Sequence, residues 1–175
     1  MKHAILAAAC AAGLALGPSL PASAGGGWTN ASTANAAGRC QSALPVFEQH
    51  LRNRPLAVQN DGGGTAFVTC SYLSDQANDE VVSFGVYARA TGGAAITLTC
   101  TAVVGYDSPT PEAAYVTKTL DLEASGVQDA IYWYGSDFGG TIPTGLPVSL
   151  SCSLPPGAAL NDMYFNYVAP GAGGT

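Results

Sequence analysis

The chain has 175 residues, twelve of them acidic and only six Lys or Arg, for a formal net charge of −6. An acidic surface with scattered cations repels phosphate backbones, which argues against nucleic acid and anionic membrane surfaces as partners. The length fits one domain, able to bury a core of its own without depending on crosslinks.

Met1-Lys2-His3 is a short positive start, Ala4 to Leu16 is an apolar run, and Ala22-Ser23-Ala24 supplies the small residues of a cleavage site. This order predicts a secretory signal peptide over residues 1–24. The apolar run of about 13 residues is too short for a bilayer, which needs ~20. Cys10 offers a lipid anchor as the alternative, but Leu6 stands one position too far from it for a lipobox. Export predicts a periplasmic or extracellular protein, and no later apolar run reaches membrane-spanning length.

Four cysteines follow residue 24: Cys40, Cys70, Cys100 and Cys152. An even number in an exported chain reads as two disulfides, with three possible pairings. The favoured pairing is Cys40–Cys70 with Cys100–Cys152. The second bond is expected to clip two strands across the core. No pair has C-x-x-C spacing, and His50 is the one histidine left after residue 24, so His-rich zinc sites are excluded.

Residues 25–39 are Gly, Ala, Asn, Ser and Thr with a single Trp28, and read as an extended or loosely packed arm. Residues 40–168 read as the folded domain. Leu44, Phe47 and Leu51 share one helical face, so a short helix or turn is expected there, with Pro45 in its first turn. Pro55 to Val58 reads as a short strand, and Asn60 to Gly64 as a turn.

Period-two alternation then marks the strands. Thr65 to Tyr72 places Ala66, Val68, Cys70 and Tyr72 on one face. Glu80 to Ala90 places Val82, Phe84, Val86 and Ala88 inward. Ala94 to Val104 sets Ile96, Leu98, Cys100, Ala102 and Val104 against Thr97, Thr99 and Thr101. Ala114 to Leu122 and Gln128 to Tyr134 follow. Pro147 to Leu154 is the clearest, with Val148, Leu150, Cys152 and Leu154 opposite three serines. Pro155-Pro156-Gly157 turns the chain into Leu160 to Val168, and residues 169–175 form a flexible tail. About eight strands with no room for crossover helices predict an all-β, antiparallel two-sheet sandwich of jelly-roll or Greek-key type.

The segments Cys40-Gln41, Phe67-Val68-Thr69-Cys70, Leu98-Thr99-Cys100 and Leu150-Ser151-Cys152-Ser153-Leu154-Pro155-Pro156-Gly157 together resemble a group of small, uncharacterised secreted bacterial β-sandwich proteins. That group has cysteine-marked strands and a C-x-L-P-P-G turn. The resemblance implies a secreted sandwich and brings no catalytic residue with it.

Candidate sites are few. His50 lacks the G-x-S-x-G elbow of a triad hydrolase and reads as an ordinary surface residue. Glu48, Glu80, Glu112, Glu123, Asp129 and Asp137 supply carboxylates for a glycosidase pair, but no motif singles any of them out. No cofactor is expected. The best candidate for a structural Ca²⁺ is the acidic cluster Asp75, Asp79 and Glu80, which lacks the glycine and spacing of an EF-hand loop. The sharpest candidate is aromatic. If Ile131 and Trp133 face the core, Tyr132 and Tyr134 stand together on the outer face beside Asp137 and a Gly-rich loop. Tyr132, Trp133, Tyr134 and Asp137 are thus the candidate ligand-binding set, suited to stacking on a sugar ring. The sequence leans toward a non-enzymatic recognition module with a glycan as first partner. A structural or protein-interaction role in the cell envelope is the alternative, and a carboxylate-based glycoside hydrolase the third.

Overall fold

The computed structural model describes residues 28–72, 80–105, 113–140, 142 and 148–169. The expected signal peptide, Cys10, Asp75, Asp79, Glu112 and the tail past Ala169 lie outside these residues.

Among the described residues, eleven strands form two antiparallel sheets. The first sheet holds β1 (Trp28–Asn35), β3 (Leu51–Arg54), β4 (Ala57–Asn60), β6 (Glu80–Ala90), β9 (Asp129–Tyr134) and β11 (Ala158–Ala169). Its order is β3-β4-β11-β6-β9. β11 pairs with β6 along one edge, and with β4 and then β1 along the other. The second sheet runs β2-β5-β10-β7-β8. Its strands are β2 (Cys40–Ser42), β5 (Ala66–Tyr72), β7 (Ile96–Val104), β8 (Ala114–Leu122) and β10 (Val148–Leu154). The chain passes repeatedly from one sheet to the other, as the short connections of a two-sheet sandwich require.

The alternation explains the core. Val148, Leu150, Cys152 and Leu154 of β10 are buried, as are Ala66, Val68, Cys70 and Tyr72 of β5 and Leu98, Cys100, Ala102 and Val104 of β7. From the first sheet they meet Phe84, Val86, Ala88, Ile131, Trp133, Leu160, Met163 and Phe165. Phe84 stacks on Trp133 with ring centroids 5.6 Å apart, and Tyr72 meets Phe84 edge-on at 5.5 Å. Ring pairs of this kind add about 0.5–1.5 kcal/mol each beyond the area they bury. Tyr72 crosses from the second sheet to donate its hydroxyl proton to the Gly85 carbonyl of the first. Burial holds this phenol well above its ordinary range. Ser and Thr cover the second sheet's outer face, where Thr101 pairs with Thr117 at 2.8 Å and Thr97 with Asp121 at 2.6 Å.

Both expected disulfides are present, Cys40–Cys70 and Cys100–Cys152. Their placement corrects one expectation. Each joins directly opposed residues of neighbouring strands in the second sheet, and neither bridges the two sheets. Their Cα atoms are 4.0 and 4.1 Å apart. Opposed residues in one sheet lie ~4.5–5.5 Å apart, whereas facing sheets are ~10 Å apart.

Other differences have local causes. The segment read as a loose arm contains β1, which pairs with β11 over eight residues. The backbone ladder holds it, so hydropathy gave no sign of it. The expected helix at Cys40 to Leu51 is instead β2, a 3₁₀ turn at Pro45–Phe47 and the start of β3. Pro45 does open that turn, but Leu44 is exposed, Phe47 packs on Phe67 at 5.4 Å, and Leu51 packs against the core from β3. The strand expected at Pro55 to Val58 begins at Ala57, after a tight turn from β3. In β6 the expected inward Val82 is 38% exposed while Val81 is 6% exposed. A register shift beside Val82, between the partners of Asn166 and Tyr167, inverts the alternation at that end of the strand.

Candidate functional site

The outer face of the first sheet carries a cluster of tyrosines. In β9 the core takes Ile131 and Trp133, the latter fully buried with its indole N–H donated to the Val116 carbonyl at 3.0 Å. Tyr132 and Tyr134 therefore point outward, with Tyr134 49% exposed. Trp133, one of the four candidates, lies beneath this face and cannot touch a ligand on it.

Two further tyrosines join them from other strands. Tyr87 alternates with buried Val86 and Ala88 on β6, and Tyr164 alternates with buried Met163 and Phe165 on β11. Tyr132 is the hub. Its ring meets Tyr87 and Tyr164 edge-on, each at 5.9 Å, and Tyr134 at 6.3 Å. Its hydroxyl donates to that of Tyr87 at 2.5 Å. Burial, and then the Tyr87 hydroxyl, hold the Tyr132 phenol above its ordinary range, so it stays a neutral donor. Gly85 makes room for the hub: a Cβ there would stand 2.7 Å from the Tyr132 ring and 2.5 Å from the Ile131 carbonyl oxygen.

Asp137 fixes the end of β9. Its carboxylate accepts the Tyr134 N–H at 2.8 Å and a proton of the Lys118 ammonium at 2.7 Å. Lys118 comes from β8 of the other sheet and also donates to the Tyr132 carbonyl at 2.8 Å. Its ammonium lies 5.9 Å from the Tyr134 ring centroid. Partial burial works to raise the Asp137 pKa, but the Lys118 hydrogen bond, the Tyr134 N–H and the Lys118 charge outweigh it and hold the carboxyl below its usual value. Asp137 is thus an ionised positioning residue, and a poor general acid. Between Asn166 and Tyr134 in register, Ser83 is buried on the same face, and the buried carbonyl oxygen of the Asn166 side chain has no hydrogen-bond partner among the described residues.

The remaining candidates fall elsewhere. His50 lies against the Gly62 turn, where a Cβ would stand 2.1 Å from its ring, and its backbone carbonyl accepts from Asp61 and Gly62. Glu48 lines a groove with Leu51 and Val58 at the β2–β3 side, well apart in the fold from Asp137. Glu80 opens β6. No group of three or more His, Cys, Asp or Glu among the described residues is placed to hold a metal ion. No helix among them is long and apolar enough to cross a membrane.

Sequence reasoning found Tyr132 and Tyr134 but missed Tyr87 and Tyr164. The signal was present, since both are out of phase with apolar neighbours in strands already recognised. What it lacked was the strand order that sets β9, β6 and β11 side by side.

No protein-family model matches the sequence, and a search of curated proteins finds no match. Among solved structures, the chain is similar to TmCBM61 in complex with β-1,4-galactotriose, at 8% identity and a TM-score of 0.40 over 79% of this chain and 84% of that one. It is also similar to the Podospora anserina GH26-CBM35 β-(1,4)-mannanase, at 10% identity and a TM-score of 0.44 over 80% of this chain and 28% of that one. A third is the xylan-binding module CBM15, at 8% identity and a TM-score of 0.43 over 84% of this chain and all of that one.

Proposed function

We propose that this protein is an exported, non-enzymatic recognition module that binds a glycan on the outer face of the first sheet. The observation that carries this reading is the assembly of Tyr87, Tyr132, Tyr134 and Tyr164 from three adjacent strands into one surface. Aromatic faces remove the apolar side of a pyranose from water, while phenol hydroxyls offer hydrogen bonds to its hydroxyls. The surface is preorganised, because Gly85, Trp133 and the Lys118–Asp137 pair hold the rings in place before any ligand arrives.

A glycan array probed with the purified protein, with and without Ca²⁺, tests the proposal. Binding to one sugar class that falls at least tenfold in Tyr134→Ala, with the melting temperature retained, is the expected result. Binding unaffected by that change, or a blank array, would overturn it.

A further inference from the structure

We infer that the glycan is acidic, and that its carboxylates are taken by an arginine cleft at one end of the tyrosine face; this rests on the glycan-binding reading above. The chain has only six Lys or Arg, yet Arg52, Arg54 and Arg89 gather at one place. Across the first sheet, Arg52, Gln59, Ala159 and Arg89 lie in one register row, on β3, β4, β11 and β6. Gln59 and Arg89 alternate with buried Val58, Ala88 and Ala90, so this row is on the outer face, the face of the tyrosines.

A cleft of about 390 Å³ opens there, lined by Arg54, Gln59, Arg89, Ala90, Thr91 and Gly126. Its polar wall is built. The Gln59 amide donates to the Thr91 hydroxyl at 2.9 Å, which donates to the Gly157 carbonyl at 2.9 Å. The charges are unbalanced. Arg52 and Arg54 share a single carboxylate, Asp61, at 3.0 and 2.9 Å. Arg89 forms no ion pair or hydrogen bond among the described residues. Asp162 of β11 stands on the same face, in register with Asn35. Asp129, exposed at the start of β9 opposite Ala88, and Glu123, whose carbonyl takes the Gly126 N–H, border the same end, so the arginines form a local positive cluster within an acidic surround.

Solvated arginines on a sheet need no cleft and no convergence. Here guanidinium groups from two strands face one space, and Arg89 is two residues from Tyr87 on the same side of β6, ~7 Å along the strand. A uronate ring resting on the tyrosines would bring a neighbouring carboxylate to Arg89 and Arg54, whose planar forks match it in two hydrogen bonds.

The test pairs each member of a panel of uronate polymers with its fully methyl-esterified form, which keeps the ring and removes the charge. Titration calorimetry is expected to show at least one acidic polymer bound about tenfold or more tightly than its ester, with the difference shrinking as salt rises. Arg89→Gln, an exposed change, should shrink the acid preference and Arg54→Gln/Arg89→Gln should abolish it, whereas Tyr134→Ala should weaken both forms together. Equal binding of acid and ester, or an acid preference undiminished in Arg89→Gln and in the double variant, would overturn the arginine cleft. Binding of neutral forms alone, lost in Tyr134→Ala, would uphold the tyrosine face and overturn the cleft. No binding by any polymer of the panel or the array would overturn both.

Discussion

Replacing Gly85 by alanine tests the seat of the tyrosine face directly. The added Cβ would stand 2.5 Å from the Ile131 carbonyl oxygen and 2.7 and 3.2 Å from two atoms of the Tyr132 ring. The ring can tilt, but the carbonyl belongs to the backbone of a strand paired with β6 over six residues. It moves only if the pairing moves. Forcing an extra carbon into such a place costs about 1–3 kcal/mol. Losing a strand glycine returns roughly 0.5–1 kcal/mol, because alanine has less freedom to give up on folding. The difference spans about 0–2.5 kcal/mol with a centre of about 1.2 kcal/mol, which is a fall in Tm of roughly 2–5 °C for a domain of this size. Differential scanning calorimetry with the disulfides intact measures it. Gly63→Ala is the control, since a Cβ there meets nothing within 4 Å and its backbone angles suit any residue. It should be neutral or slightly stabilising. The Gly85 variant should also lose glycan affinity, because the hub ring is displaced. A Gly85→Ala protein as stable as the control would mean that Tyr132 does not rest on Gly85, and the account of how the rings are held would fail.

Two other predictions follow from the crosslinks and from Asp137. The disulfides close chain separations of 30 and 52 residues. Chain entropy assigns them about 3.6 and 4.1 kcal/mol, so Cys40→Ala/Cys70→Ala and Cys100→Ala/Cys152→Ala should each lower the denaturant midpoint clearly, the second pair by slightly more. A midpoint unchanged in either double variant would contradict this. The Asp137 carboxyl lies below its ordinary value of 3.8 in the folded state. Its contribution to stability is complete above that value and is lost as pH falls through the lowered folded value. Asp137→Asn should therefore be less stable than the wild type at pH 7, with the gap closing below about pH 4. A gap that stays constant from pH 7 to pH 2 would rule out the Lys118–Asp137 pair as its source.

The sequence by itself determined the class of fold. Serine and threonine alternating with Val, Leu and Cys leave only half-buried strands as a solution, because a period of two places every apolar side chain on one face. The same alternation set Trp133 on the opposite side from Tyr132 and Tyr134 without deciding which side faced the core, and it placed Cys70, Cys100 and Cys152 on apolar faces. Three things waited for the tertiary structure. The phase of β6 at Val81 and Val82 depends on a bulge, which arises from pairing with β11 and leaves no local mark. β1 is held by a backbone ladder, which any side-chain pattern permits. The tyrosine face itself is non-local: Tyr87, Tyr132 and Tyr164 lie 45 and 32 residues apart in sequence, and Arg54 and Arg89 likewise come from separate strands. Each looks like an isolated outward residue in its own strand. Only the order β3-β4-β11-β6-β9 brings the rings to one place and the guanidinium groups to the end of the same face, because which outward residues become neighbours is decided by which strands pair.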